Sequence, residues 1–167
     1  MRFLTIIATA LYTLGFVSAQ SCTPNGPNGA HTSGTPGCTC NPNGSITCAG
    51  FQVCGVGNTN ANIDARSVYT ATVQCRNKGG QIVEVKTQGV TVPKTVSNLR
   101  TKNGCLTVPS ITTDAPTEQQ LLAAATCPNG NWSKVLKDGT ITDAWTYAVT
   151  FAGFSSCPYV SLSGNCP

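Results

Sequence analysis

The sequence predicts a mainly β protein: a disulfide-rich antiparallel β-sandwich with one short helix and a loop-rich N-terminal lobe. The 167-residue chain contains ten cysteines, 17 glycines and ten prolines. Apolar and polar residues alternate along several short segments, which is typical of strands with one buried face. Turn-forming Gly, Pro and Asn residues separate those segments. Charged residues make up 10% of the chain, against about a quarter in an average domain, which is too few for a charge-solvated disordered protein.

The first 19 residues have the pattern of a secretory signal peptide. Arg2 precedes an apolar run from Leu4 to Val17, and the small residue Ala19 ends the segment. After it, no apolar stretch approaches the ~20 residues that span a membrane. Without Arg2, nine basic residues face six acidic ones, and the resulting charge of +3 is spread along the chain. That pattern argues against binding to nucleic acid or to a membrane surface. We therefore predict a secreted, extracellular protein.

Composition divides the remaining chain into two parts of one domain. Residues 20–62 form a cysteine-rich segment of Gly, Pro, Asn and Thr, in which we expect loops held by disulfides rather than by burial of apolar residues. Residues 63–167 carry the alternating patterns and are predicted to form the β-sandwich body. A chain of this length buries enough surface for one core, and we predict a monomer.

An oxidising compartment predicts that the ten cysteines pair into five disulfides. They are Cys22, Cys38, Cys40, Cys48, Cys54, Cys75, Cys105, Cys127, Cys157 and Cys166. Five of them lie between Cys22 and Cys54, and five between Cys75 and Cys166. Because both groups are odd, at least one disulfide has to join the N-terminal segment to the body. The spacing leaves the connectivity open.

The pair Cys38 and Cys40, with His31 nearby, raises zinc binding as an alternative. A tetrahedral zinc site usually takes two ligand pairs, commonly spaced as Cys-x2–4-Cys. This chain offers one Cys-x-Cys and one histidine. We therefore predict no metal site and no cofactor.

Hairpins and short strands account for most of the elements that the sequence predicts. The segment from Cys40 to Cys48 reads as a tight hairpin, with Asn43-Gly44 at its tip. Within the body, alternation predicts strands over 67–75, 81–87, 90–92 and 105–112. A hairpin loop over 77–80 is expected to join the first two of these strands.

The longest alternation predicts a strand over 140–151. Ile141, Trp145, Tyr147, Val149 and Phe151 share one face of this strand, on which Asp143 is the exception. A slip of one residue would turn that face outward, so we expect a firm register.

One helix is predicted over 117–125. Thr117 and Gln120 fit a capping box, Glu118 suits the positive end of the helix dipole, and the run from Leu121 to Ala125 has a high helix propensity. So short a helix is marginal by itself. We expect it to lie across an end or edge of the sandwich, joined to the body by Cys127.

No combination of residues predicts catalysis. His31, the only histidine, lies in a stretch typical of a surface loop, and no nucleophile-elbow pattern accompanies it. Asp138 and Asp143 are separated by an odd offset and a turn, and Asp114 and Glu118 are explained by the start of the helix. An even cysteine count in an oxidising compartment leaves no thiol for chemistry. We therefore predict that the protein is not an enzyme.

Aromatic residues indicate where a ligand would bind. Trp145 and Tyr147 share a strand face with other large apolar residues, which is typical of a core. Trp132 lies in a polar loop, where it either caps the sandwich or stacks on a ligand such as a sugar ring. Asn43 and Asn131 begin Asn-x-Ser motifs, which predict N-glycosylation at exposed turns.

The leader, the even set of cysteines and the Asn-, Gly- and Thr-rich body with little charge resemble the small secreted cysteine-rich proteins of fungi. This resemblance covers the whole chain through its composition. It implies an effector-like role in virulence, outside the cell, on a host or cell-wall component.

The stretch from Cys22 to Cys54 is also similar to the cysteine pattern of pacifastin-type protease inhibitors and von Willebrand type C modules. The pacifastin pattern has one more cysteine between Cys22 and Cys38, which is absent here. The similarity implies a reactive loop over 49–53, with Phe51 as a contact residue.

Three functions are consistent with these observations. The first is a secreted, disulfide-stabilised binding protein without enzymatic activity, which recognises an extracellular protein or glycan. The second is protease inhibition through the loop between Cys48 and Cys54. The third is carbohydrate binding through Trp132.

Overall fold

A computed structural model describes residues 25–137 and 141–166, with residues 141–143 described by their backbone. The predicted signal peptide, Cys22 and Asp138 lie outside the described residues. Within them the chain forms thirteen strands and one helix, and the strands pair antiparallel. The predicted mainly β, disulfide-rich fold with one short helix is confirmed.

The elements follow one another in a regular succession of short strands. The strands are β1 His31–Ser33, β2 Cys38–Cys40, β3 Ile46–Cys48, β4 Phe51–Cys54, β5 Ala61–Thr70, β6 Thr72–Arg76, β7 Ile82–Lys86, β8 Val90–Leu99, β9 Cys105–Val108, β10 Ile111–Thr113, β11 Ser133–Leu136, β12 Ile141–Phe151 and β13 Val160–Gly164. The helix α1, Glu118–Ala124, lies between β10 and β11 in the chain.

Four sheets build the fold from these strands. The largest is a four-stranded sheet with the order β13-β12-β5-β8. Two three-stranded sheets, β1-β4-β9 and β10-β3-β2, contain the N-terminal strands. A further sheet, β11-β6-β7, is here called the distal sheet.

The main core lies where the four-stranded sheet meets the two sheets that contain the N-terminal strands. Alternate residues of β5 and β12 contribute to it, and Ile63 and Val149 among them are completely buried. Phe51 and Val53 of β4 and Leu106 of β9 pack into the same cluster. The N-terminal segment is loop-rich, but its strands pair with β9 and β10 and share this core. The expectation that this segment contributes no buried apolar residues is therefore wrong, whereas the expected disulfides are present in it.

The predicted strand 67–75 is in fact two strands, because the strand pairing is interrupted at Ala71. Strands β5–β6 and β7–β8 form one long antiparallel hairpin, and its loop spans 77–80, as predicted. At the interruption, the Ala71 amide donates to Thr87 Oγ1 at 2.9 Å, and the Thr87 amide donates to the Ala71 carbonyl at 2.9 Å. The buried Thr87 thereby satisfies the backbone at Ala71. Beyond this interruption the hairpin enters the distal sheet.

Two other strand boundaries differ from the prediction for reasons that involve proline. The predicted strand 105–112 is divided into β9 and β10 at Pro109, which lacks an amide to continue a ladder. The predicted strand 90–92 extends instead to Leu99 and passes through Pro93. Proline is tolerated there because β8 is the edge strand of its sheet.

The predicted hairpin from Cys40 to Cys48 and the predicted strand over 140–151 are both confirmed. Gly44 has a φ of +80° at the tip of the hairpin, a conformation that glycine adopts at no steric cost. In β12 the register shifts between Thr142 and Ala144. The expected firm register therefore fails at Asp143, where a bulge accommodates the residue that interrupts the alternation.

The helix supports the distal sheet. Its capping box is present: the Thr117 amide donates to Gln120 Oε1 at 2.8 Å, and the Gln120 amide donates to Thr117 Oγ1 at 3.3 Å. The helix lies against β11 and β8, as expected for a position at an edge. Leu121 of the helix and Val73 and Cys75 of β6 are buried outside the main cluster.

Four disulfides are described: Cys38–Cys48, Cys40–Cys166, Cys54–Cys105 and Cys75–Cys127. Cys157 is also disulfide-bonded. Two of the bridges join the N-terminal group of cysteines to the C-terminal group. The prediction that at least one disulfide joins the N-terminal segment to the body is therefore confirmed. The bridge from Cys127 joins the helix region to the body, as expected. Cys38 and Cys40, considered above as zinc ligands, are disulfide sulfurs rather than thiolates.

Tyr147 contains a buried hydroxyl that has no hydrogen-bond partner within the described part of the chain. Burial raises the pKa of Tyr147 to about 12, so the phenol stays neutral around neutral pH. We expect Tyr147→Phe to leave the free energy of unfolding unchanged or to raise it by up to about 1 kcal/mol, because the substitution removes an uncompensated desolvation cost.

Tyr69→Phe is the matched control for this substitution in urea denaturation. Tyr69 is equally buried, and its hydroxyl donates to the Gly44 carbonyl at 3.0 Å. Loss of that bond is expected to lower the free energy of unfolding by about 1 kcal/mol. If both variants lowered the free energy of unfolding by the same amount, the assignment of the Tyr147 hydroxyl as unpartnered would be contradicted.

Candidate binding pocket

A shallow pocket of about 370 Å³ lies between the end of α1 and the start of β11. Its volume falls within the range of roughly 300–1,000 Å³ that is usual for small-molecule sites. The pocket is lined by Ala125, Thr126, Cys127, Asn129, Gly130, Trp132 and Lys134. These residues belong to the polar loop in which the sequence placed Trp132.

Covalent and hydrogen-bonded contacts fix the loop that forms the pocket. Cys127 is bonded to Cys75, which is fully buried in the distal sheet. The Asn131 amide donates to Asn129 Oδ1 at 3.1 Å, and the Trp132 amide donates to the Asn129 carbonyl at 3.4 Å. From Ser133 onward the chain pairs with β6. The loop is therefore tied down at both of its ends.

Trp132 is half-buried and lines this pocket. The sequence left two roles open for it, capping the sandwich or contacting a ligand. Its place lies outside the main core cluster, at a concave surface next to polar groups. An aromatic ring in that setting presents an amphipathic face on which a sugar ring can stack.

Lys134 is a residue of the pocket that the sequence analysis missed. Its Nζ donates to the Leu122 carbonyl at 2.9 Å and to the Ala125 carbonyl at 2.7 Å. Both carbonyls lie at the C-terminal end of α1, where backbone acceptors lack partners within the helix and a positive charge is favourable. Lys134 thus fixes the helix end against β11. Nothing in the local sequence around Lys134 indicates this contact, because its partners precede it by 12 and 9 residues.

Hydrogen-bond donors predominate among the side chains of the pocket. Lys134, Asn129 and Trp132 all carry N–H groups, whereas no carboxylate lines the pocket. The carbonyl oxygen of the Asn129 side chain already accepts from the Asn131 amide. The pocket is therefore positively charged and rich in donors.

Phe51, the predicted contact residue of an inhibitory loop, is buried. Its side chain is 6% exposed and belongs to the main core. Strand β4, which begins at Phe51, lies at the centre of the sheet β1-β4-β9. The stretch 49–53 is thus mostly a paired central strand rather than an exposed loop, and the interpretation of Phe51 as a contact residue is wrong. Sequence similarity in the cysteine pattern did not reveal the pairing of β4 with the distant β9.

The residues considered for catalysis are dispersed in the described structure. His31 lies in the exposed strand β1, rather than in the expected loop, and its Nδ1 is 3.0 Å from the Gly29 carbonyl oxygen. Asp114 and Glu118 are exposed at the approach to the helix and in its first turn. The side chain of Asp143 lies outside the described residues.

The two predicted N-glycosylation sites are exposed, and their modification stays a prediction. Asn43 lies at the tip of the β2–β3 hairpin, where its Oδ1 accepts from the Ser45 amide at 3.1 Å and the Ser45 hydroxyl at 2.8 Å. Asn131 lies in the loop that forms the pocket, next to Trp132.

A second groove, of about 380 Å³, lies on the outward face of the four-stranded sheet. Asp64, Arg66 and Thr95 line it, and Thr95 Oγ1 donates to Asp64 Oδ1 at 3.1 Å. It contains both signs of charge and no aromatic side chain. Antiparallel sheets commonly present such a polar face to water, so we place the candidate site at the pocket of Trp132.

Fold and pocket together define a disulfide-locked, mainly β protein with a concave aromatic site between the end of α1 and the start of β11. Comparisons with protein-family models, with curated proteins and with solved structures found no match to this chain. The helix α1, the one helix among the described residues, lacks the length and apolarity required to cross a membrane. Intramolecular disulfides are typical of proteins that mature in an oxidising compartment.

Proposed function

We propose that the protein is a secreted, non-enzymatic binding protein that acts outside the cell in an effector-like role, and that it recognises a glycan of a host or cell-wall surface. The observation that carries this proposal is the place of Trp132, half-buried in a pocket that a disulfide and two hydrogen bonds from backbone amides to Asn129 hold in shape. Disulfide bonding supports the extracellular setting.

Preorganisation supports recognition by the pocket. Association costs free energy for every side chain and loop that has to become ordered, so a surface that is fixed before binding keeps more of its contact energy. Here the Cys75–Cys127 bridge and the Lys134 contacts to α1 fix the loop in advance. The lining also combines an aromatic ring with a few polar groups, which is the usual composition of a small-ligand site.

Retention on insoluble glycans tests this function. The purified protein is incubated with chitin, β-glucan, cellulose and a pectic polyuronate, and the bound fraction is compared between the natural chain and Trp132→Ala. We expect retention on at least one polymer and about tenfold weaker binding by Trp132→Ala, which is about 1.4 kcal/mol, because loss of the stacked indole removes the apolar area that it buries on the sugar ring.

Val135→Ala is the control variant for this experiment. Val135 lies on the same strand as Lys134 but is 55% exposed and does not line the pocket. It is expected to bind like the natural chain. Equal retention of the natural chain and Trp132→Ala would exclude Trp132 from the binding site, and no retention on any polymer would overturn glycan recognition.

A further inference from the structure

Among the side chains of the pocket, hydrogen-bond donors outnumber acceptors, and this imbalance limits the ligands that fit. A lysine ammonium has three N–H donors, and Lys134 uses two of them for the Leu122 and Ala125 carbonyls. Within the described residues, the side-chain NH2 group of Asn129 and the indole N–H of Trp132 donate to no protein group, and both side chains line the pocket.

Side-chain acceptors are few in the pocket. Asn129 Oδ1 already accepts from the Asn131 amide, which leaves it one lone pair. The Thr126 hydroxyl is the other side-chain acceptor among the lining residues. A neutral sugar presents hydroxyl groups that both donate and accept, so it would leave some of its own donors without a side-chain partner in the pocket.

A carboxylate matches the pocket better than a hydroxyl group does. It accepts hydrogen bonds at two oxygens, donates none, and carries the charge opposite to that of Lys134. Charge-assisted hydrogen bonds are also shorter and stronger than neutral ones. No acidic side chain lines the pocket to compete for Lys134.

We infer that the pocket selects an acidic sugar, an inference that rests on the proposed glycan binding. Trp132 stacks on the ring of a uronic acid residue, and Lys134 and Asn129 donate to its carboxylate. Lys134 then has two roles. It fixes the end of α1 through two of its N–H groups and recognises the ligand through the third.

A matched pair of ligands tests this selectivity. Binding of a soluble uronic acid oligosaccharide is measured by calorimetry at low and high salt, next to its methyl ester, which has the same rings without the charge. We expect the acid to bind at least tenfold more tightly than the ester at low salt. Lys134→Gln is expected to remove most of this preference, and Lys134→Arg, which keeps the charge, is expected to retain more of it.

Lys102→Gln controls for the general attraction between a basic protein and an acidic polymer. It changes the net charge equally, but Lys102 is exposed next to β9 and does not line the pocket. It is expected to keep the preference. Asn129→Ala provides a second variant, because the hydrogen bonds of Asn129 stay within its own loop. A loss of acid preference with retained binding of the ester is expected there too, even if Lys134→Gln proves unstable, whereas a disturbed loop would weaken the binding of both ligands.

Each outcome separates the inference from the proposed function. If the ester or a neutral oligosaccharide binds as tightly as the acid, and Trp132→Ala weakens that binding, glycan recognition stands and acid selectivity is overturned. Equal losses in Lys102→Gln and Lys134→Gln would also overturn acid selectivity, because they would reflect overall charge. If no oligosaccharide binds, the proposed function itself fails.

Discussion

Removal of the Cys40–Cys166 disulfide by a double Cys→Ala substitution is expected to lower the free energy of unfolding by up to about 5 kcal/mol. This bridge joins residues 126 apart in sequence, and crosslinking a long loop removes much entropy from the unfolded chain. It also attaches the chain next to β13 to the N-terminal strands. The other disulfides shorten the effective path through the unfolded chain, so 5 kcal/mol is an upper figure.

The matched variant is the double substitution of Cys38 and Cys48. That bridge spans only ten residues, and the same relation gives a loss of about 3 kcal/mol. Urea denaturation with coincident probes measures both values. Substitution of the buried Cys48 also removes packing contacts. This added loss reduces the expected difference in unfolding free energy between the two double variants. A larger loss for the short bridge would show that native packing, and not loop entropy, dominates the contribution of these disulfides.

Phe51→Ala is expected to lower the free energy of unfolding by about 3–5 kcal/mol, the usual cost of deleting a buried phenylalanine ring. The ring is 6% exposed and packs in the main core, so its removal leaves a cavity between the sheets. The measurement is again urea denaturation. Gln52→Ala is the control: this neighbour on β4 is exposed, and an exposed substitution usually changes stability by less than about 0.5 kcal/mol.

The same pair of variants tests the inhibitor hypothesis. We expect no stoichiometric inhibition of a chymotrypsin-like protease by the natural chain, because the ring that would enter the specificity pocket is buried. If the natural chain inhibits such a protease and Phe51→Ala abolishes inhibition at unchanged stability, the assignment of Phe51 to the core is wrong.

Local signals in the sequence were the ones that predicted structure correctly. The capping box of Thr117 and Gln120 forms within four residues, and the hairpin loops at 41–45 and 77–80 follow from turn-forming Asn and Gly residues. The alternation along β12 predicted its buried face at Tyr147, Val149 and Phe151. Each of these features depends on neighbours in the chain.

Features that depend on distant partners were missed or misplaced. Strand β4 pairs with β9 more than 50 residues away, so a segment that looks like loops contributes Phe51 and Val53 to the core. The interruption of the strand at Ala71 involves hydrogen bonds to the distant Thr87, and the alternation of residues around Ala71 does not indicate it. Disulfide pairing also depends on distant partners. The sequence predicts only that at least one bridge joins the two groups of cysteines.

The candidate site was predicted in part. A tryptophan in a polar loop is unusual enough to mark Trp132 as a residue to examine. The roles of Lys134 and Asn129 require knowledge of where α1 ends in space, since Lys134 contacts carbonyls of the helix and Asn129 is fixed by hydrogen bonds within its own loop. An exposed-looking lysine on a short strand gives no local signal of this kind.

The separation of the Trp132 pocket from the main core has a consequence for sequence variation. None of the residues that line the pocket belongs to that core. Cys127 and Asn129 hold the pocket loop in shape through the disulfide to Cys75 and through hydrogen bonds within the loop. The other positions of this loop can therefore change in sequence without a loss of side chains from the main core.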